Sequence, residues 1–197
     1  MLIIPSRENE KVNSQYITSK LLCHTLLRNN DPSNGTMADT EMIQEKIGEA
    51  IGLERAAQKA VETLDSRGLL KPEQSRRLSK MKDEAGQQEQ EMEAIVQDLT
   101  NSDGFDSSLI EEKATETADK ASQMMETYLG ENPDTQEALE FLCLAEGAEV
   151  THYEVLKSVA KEVENKKFGR QVNTILIEEK RHLELCTKLA KSNAESA

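Results

Sequence analysis

Three features of this sequence predict an all-α fold. Among 197 residues there are four prolines, nine glycines and only 3% aromatic residues, a composition that favours helix and argues against a β-sandwich or barrel. Apolar residues recur at a 3-4 spacing along four long segments, the period of a helix with one buried face. Gly, Pro and Asn/Asp clusters fall between those segments, where turns are needed. The expected architecture is an antiparallel four-helix bundle with a short extra helix in the crossover.

Residues 1–36 differ from the rest in their mixed charge, their apolar stretch Tyr16 to Leu27 and the breaker-rich run Asn29 to Gly35, and are expected to be a loose N-terminal extension ahead of one domain over 37–197. The first helix, α1, is predicted from about Asp39 to Arg67, stopping at Gly68. Helix α2 starts with Pro72 in its first turn, where a missing N–H costs nothing, and ends near Thr100. Asn101-Ser102-Asp103-Gly104 then reads as a turn. A short α3 opens with the box Ser108-Leu109-Ile110-Glu111 and ends at Gly130. Helix α4 runs from Asn132-Pro133 to about Glu164, and α5 from near Lys167 to Ser192.

Charge and cysteine usage exclude several functions. The net charge of −13, without a Lys/Arg-rich run, repels a phosphate backbone, so nucleic acid is not an expected partner. Cys23, Cys143 and Cys186 are an odd set with no CxxC pair, as expected in a reducing cytoplasm. No apolar run approaches the ~20 residues of a membrane span, and no membrane partner is expected. Were Gly104 the sixth residue of an EF-hand loop, Leu99 and Ile110 would hold its first and twelfth positions, where neither can ligate calcium. No GxGxxG, Walker or HExxH motif is present.

The apolar stripes carry charge where it is costly. On α1 the inward positions are Ile47, Ala50, Glu54, Ala57, Val61 and Leu64; on α4 they are Leu142, Ala145, Glu149, His152, Leu156, Val159 and Val163; on α5 they are Phe168, Val172, Ile175, Glu179, His182, Cys186 and Leu189. An unpaired ion at such a position costs several kcal/mol. On α2 the stripe Leu78, Met81, Ala85, Met92, Ile95, Leu99 sets Glu84 at its edge and Gln88 inside.

These charges share one level. Glu54 and Glu84 are 30 residues apart about a midpoint beside Gly68, as are Glu149 and Glu179 about Glu164, so in antiparallel hairpins each pair stands ~20 Å from its turn. The second hairpin repeats the first at an offset of 95 residues, which maps Gln87, rather than Gln88, onto His182. His152 and His182 complete a Glu-x-x-His step on α4 and α5, and residues i and i+3 share a helix face. Glu54, Glu84, Glu149, His152, Glu179 and His182 are therefore the candidate metal ligands. The alternative is two core histidines, each satisfied by one carboxylate. Gly48, Gly52 and Gly147 mark either close helix contacts or, at Gly147, room for a ligand.

These residues resemble the ferritin-like superfamily, in which two helices each give one Glu and two others each give Glu-x-x-His; the likeness spans Asp39 to about Ala190. The segment Ala145-Glu146-Gly147-Ala148-Glu149 with Tyr153, followed by Glu178-Glu179, is similar to the bacterial stress-associated ferritin-like proteins. The resemblance implies two helical hairpins, commonly paired as a homodimer, around two iron or manganese ions. Glu54, Glu84, Glu149, Glu179 and His182 match its ligand positions, with Glu149 lying between the metals. In the usual motif the histidines sit on the second and fourth long helices; here they sit on the third and fourth, and His152 stands in for the missing one. The implied function is redox or protective chemistry on oxygen or peroxide, as a ferroxidase or a peroxide-consuming oxidoreductase. The competing expectation is a metal-free bundle acting as a dimeric interaction or structural protein.

Overall fold

A computed structural model describes residues 37–163 and 165–196. The chain divides into two units, Met1–Thr36 and Met37–Ala197, and the expectations for Tyr16 to Leu27, for the run ending at Gly35 and for Cys23 lie outside the described residues. Within these, the protein is all-helical, with no strand: α1 Met37–Ser66, α2 Pro72–Asp103, α3 Ser107–Leu129, α4 Thr135–Val159 and α5 Lys166–Glu195.

The helix ends follow local chemistry. After α1, Gly68 takes φ +68, and the bonds Leu69 N–H to Leu64 O and Gly68 N–H to Asp65 O close a Schellman turn that needs a residue without a Cβ penalty. Helix α2 continues through the predicted Asn101–Asp103 turn and stops only at Gly104. Asp106, rather than Ser108, caps α3, accepting from the N–H groups of Ser108 and Leu109. Asp134 and Glu137 form the reciprocal box that opens α4, two residues later than Asn132; α4 ends at Val159, short of Glu164. Asn165 caps α5 through the Lys167 and Phe168 N–H groups.

Contacts between helices fix their directions. Arg55 with Glu89, and Glu62 with Lys82, set α1 and α2 antiparallel. Glu84 with His182, and Asp98 with Lys167, do so for α2 and α5. Lys180 with Glu154 ties α5 to α4. Helix α3 occupies the stretch expected, Ser107–Leu129, and lies parallel to α1, where Gly48 faces Ile110 and Lys113, and Gly52 faces Ala114 and Thr117. A Cβ at Gly52 would stand 2.4 Å from the Ala114 carbonyl oxygen, whereas one at Gly147 would meet nothing within 4 Å. Gly52→Ala should therefore force α3 outward and lower the melting temperature by several degrees. Gly147→Ala should be neutral or stabilising, by up to the ~1 kcal/mol by which alanine exceeds glycine in a helix.

The apolar core is divided in two. One cluster contains Ile47 and Ile51 of α1, Tyr153 and Leu156 of α4, and Phe168, Val172 and Ile175 of α5. The other contains Val61 and Leu64, Leu139 and Leu142, and Cys186 and Leu189 of the same helices. Between them, on every one of the three helices, lie the buried polar residues Glu54, Glu146, Glu149, Glu179 and His182. The Cys186 thiol, donating to Met81 Sδ at 3.7 Å, borders this layer and is held protonated by burial, then by the charge of Glu146. No helix among the described residues is long and apolar enough to cross a membrane.

Candidate metal centre

Glu54 and Glu179 are fully buried, and Glu146, Glu149 and His182 are 1–3% exposed. One donor atom from each of Glu54, Glu149 and Glu179 lies within 4.8 Å of the other two. The same holds for Glu146, Glu179 and His182, so Glu179 belongs to both groups. Donors ~2.0–2.2 Å from one ion stand up to ~4.4 Å apart, so small side-chain rotations would close either group on a metal.

The surrounding contacts leave the inward oxygens bare. The Tyr153 hydroxyl donates to Glu54 Oε1 at 2.6 Å, while Glu54 Oε2, Glu146 Oε2 and both oxygens of Glu179 have no hydrogen-bond partner. His182 Nε2–H donates to Glu84 Oε2 at 3.0 Å, which aims Nδ1 inward, 3.3 Å from Glu179 Oε1 and 3.9 Å from Glu146 Oε2. A ligating histidine whose other nitrogen is tied to a carboxylate is a common metal-site arrangement. Glu84, partly exposed, is held in turn by Arg181 at 3.2 Å and Lys80 at 3.5 Å.

Electrostatics shows how much negative charge has been gathered. Burial, then the charge of Glu179, holds Glu54 well above the usual carboxylate range despite the Tyr153 hydrogen bond. Burial and the carboxylates of Glu146, Glu179 and Glu54 raise Glu149 likewise. Glu146 is pushed up to about 8 by burial and by Glu179. His182 rises to about 9: burial opposes its charge, but the carboxylates of Glu179, Glu146 and Glu84 outweigh it. A proton neutralises one carboxylate at a time, whereas a divalent cation engages the bare oxygens of several residues together. The donor set therefore fits a metal ion.

No family model, characterised protein or solved structure matches this chain. The site stands on its own geometry.

Four of the six residues expected from the sequence meet in this layer: Glu54, Glu149, Glu179 and His182. Glu84 touches His182 from the solvent side and does not enter either group. His152 is buried but points elsewhere, with Nε2–H donating to the Lys46 carbonyl at 2.9 Å and Nδ1 3.6 Å from Glu49; burial lowers its pKa. The residue shared between the groups is Glu179, not Glu149. Glu146 is the ligand candidate that the α4 stripe missed. The observed inward line is Leu139, Leu142, Glu146, Glu149, Tyr153, Leu156 and Ala160, one position along from Ala145 and His152. Gln88 is buried beside Glu178 and Gln87 is exposed, so the apolar stripe, not the 95-residue repeat, sets the facing of α2. Accordingly, His152→Gln should leave metal stoichiometry unchanged in an equilibrium titration, and His182→Gln should weaken binding by at least the ~10- to 100-fold that loss of even an outer partner costs.

Proposed function

We propose that this protein is a ferritin-like carboxylate/histidine metal protein, in which α1, α2, α4 and α5 form an antiparallel four-helix bundle and α3 braces α1. Two iron or manganese ions are its cofactors, and oxygen or peroxide its substrate, in a protective redox role. The observation that carries this proposal is the pair of buried donor groups joined by Glu179, whose two oxygens have no other partner. Bound iron or manganese supplies the electron transfer to oxygen or peroxide. The chain's residues orient and insulate: Tyr153 fixes Glu54 so that Oε2 faces the layer, Glu84 fixes His182 so that Nδ1 does, and the apolar clusters on either side exclude water. Metal analysis of the purified protein, combined with oxygen or peroxide consumption after anaerobic loading with Fe(II) or Mn(II), tests it; absence of stoichiometric metal and of consumption overturns it.

A second function, a metal-free dimeric interaction protein, is favoured by Leu144 and Val155 on α4 and Ile177 on α5, which are 44–63% exposed. Sedimentation of the metal-free protein and of a variant with all three replaced by Ser separates a dimer held by these side chains from a monomer.

A further inference from the structure

Helix α2 also sends a residue into the polar layer. Gln88, 1% exposed, stands between Met81, in one apolar cluster, and Met92, in the other. One turn before it Glu84 meets His182, and Gln88 Nε2–H donates to Glu178 Oε2 at 3.2 Å, so α2 and α5 bring Gln88 to the level of Glu179. A carboxylate accepts and does not donate, so the amino end of the amide is the end held by Glu178. Gln88 Oε1 is left buried without a hydrogen-bond partner. Among the described residues, the other unpartnered atoms of the layer are acceptors too: Glu54 Oε2, Glu146 Oε2 and both oxygens of Glu179. The donors that border it are committed, Tyr153 O–H to Glu54, His182 Nε2–H to Glu84 and Cys186 S–H to Met81. A divalent cation satisfies the carboxylates, whose charge attracts it; the neutral Gln88 oxygen calls for a hydrogen-bond donor.

We propose that Gln88 binds the oxidant, its amide oxygen accepting a hydrogen bond from a substrate that carries its own O–H, and that this substrate is hydrogen peroxide rather than dioxygen. Dioxygen has no proton to offer a layer of acceptors, whereas hydrogen peroxide has one on each oxygen. Two electrons, one from each bound ion as it passes from the divalent to the trivalent state, and two protons break the O–O bond and leave two waters. This deepens the metal-centre proposal above and rests on it.

Co(II) loaded on the full chain reports ligand binding without turnover, through its visible absorption. Hydroxylamine, which is isosteric with hydrogen peroxide and carries protons, and azide, which carries none, are titrated separately into the loaded wild type and Gln88→Leu. The expected result is an unchanged Co(II) affinity, a loss of roughly five- to tenfold in hydroxylamine affinity, as for one hydrogen bond, and azide binding that does not move. Wild type loaded with Fe(II) under anaerobic conditions, then mixed with hydrogen peroxide or with an equal concentration of oxygen, should be oxidised several-fold faster by the peroxide. Weaker Co(II) binding by Gln88→Leu would make Gln88 a metal ligand instead. Hydroxylamine binding that is absent, unchanged or lowered in step with azide, or faster oxidation by oxygen, would remove the peroxide assignment. Each of these overturns this proposal and leaves the metal centre in place, whereas failure of the wild type to bind Co(II) overturns the metal-centre proposal and this one with it. Gln88→Met replaces Gln88→Leu where circular dichroism shows that the latter does not fold, and the comparison of oxidants needs only the wild type.

Discussion

Anaerobic Fe(II) or Mn(II), at a hundredfold excess over its Kd, is expected to raise the melting temperature by roughly 5–11 °C. A ligand specific for the folded state adds RT ln(1 + [L]/Kd), ~2.7 kcal/mol at that excess, and a chain of this size shifts by ~2–4 °C per kcal/mol. Replacing Glu149 by Gln and Glu179 by Leu together should abolish the shift, because Glu179 belongs to both donor groups and neither survives its loss. Without metal the same variant should melt at or above the wild type, since removing buried charge in favour of packed side chains is often neutral or stabilising. A wild type that ignores metal, beside a double variant that melts higher, would show that the layer is only a set of buried polar groups.

Metal-free protein should lose stability as pH rises from about 5 to about 9, the reverse of a protein whose carboxylates are held by salt bridges. Glu54, Glu146 and Glu149 have folded pKa values raised above the ordinary 4.5, with Glu146 near 8, and His182 is raised from 6.5 to about 9. A raised group stabilises the fold fully below its unfolded pKa and ceases to do so as pH climbs through its folded value. All four act in the same direction within that window. Glu84, held low by His182 and Arg181 against its partial burial, has the opposite sign, but its contribution is lost only below the window. At ~1.36 kcal/mol per unit, Glu146 alone contributes a few kcal/mol, on the order of 10 °C in melting temperature. Saturating metal should flatten or invert the trend, because binding requires the deprotonated carboxylates. A melting temperature that rises steadily from pH 5 to 9 without metal would contradict the burial of these groups.

The stripes on α1, α2 and α5 were legible because each apolar line there is unambiguous: every inward residue named on them is buried. Helix α4 misled because two lines share Leu142, Glu149 and Leu156. One passes through Ala145 and His152, the other through Glu146 and Tyr153. Hydrophobicity alone prefers Ala to Glu, and a histidine beside glutamates draws the eye, whereas tertiary packing chose the line with the large ring. Leu139 and Tyr153 at strict 3-4 spacing were the signal that could have found Glu146. The roles of Gly48 and Gly52 depend on a partner helix 62 to 65 positions away, which no local pattern encodes. The extension of α2 to Asp103 went unread because Asn, Ser and Asp favour turns as single residues yet can finish a helix that a left-handed glycine terminates.

The division of the apolar core has a consequence for how the helices choose their alignment. Leucine against isoleucine is nearly as good after a slip of one turn as before it, so a wholly apolar interior specifies sliding position weakly. A slip of one turn, ~5.4 Å, would carry Glu54 or Glu179 into hydrocarbon and strand it there, at a cost of several kcal/mol. Misaligned states are thus penalised far more than the native one, as a single buried Asn fixes the register of a coiled coil. The double variant that melts higher should therefore also be the less singular molecule, with broader amide resonances and greater binding of an apolar dye, even where its helix content is unchanged.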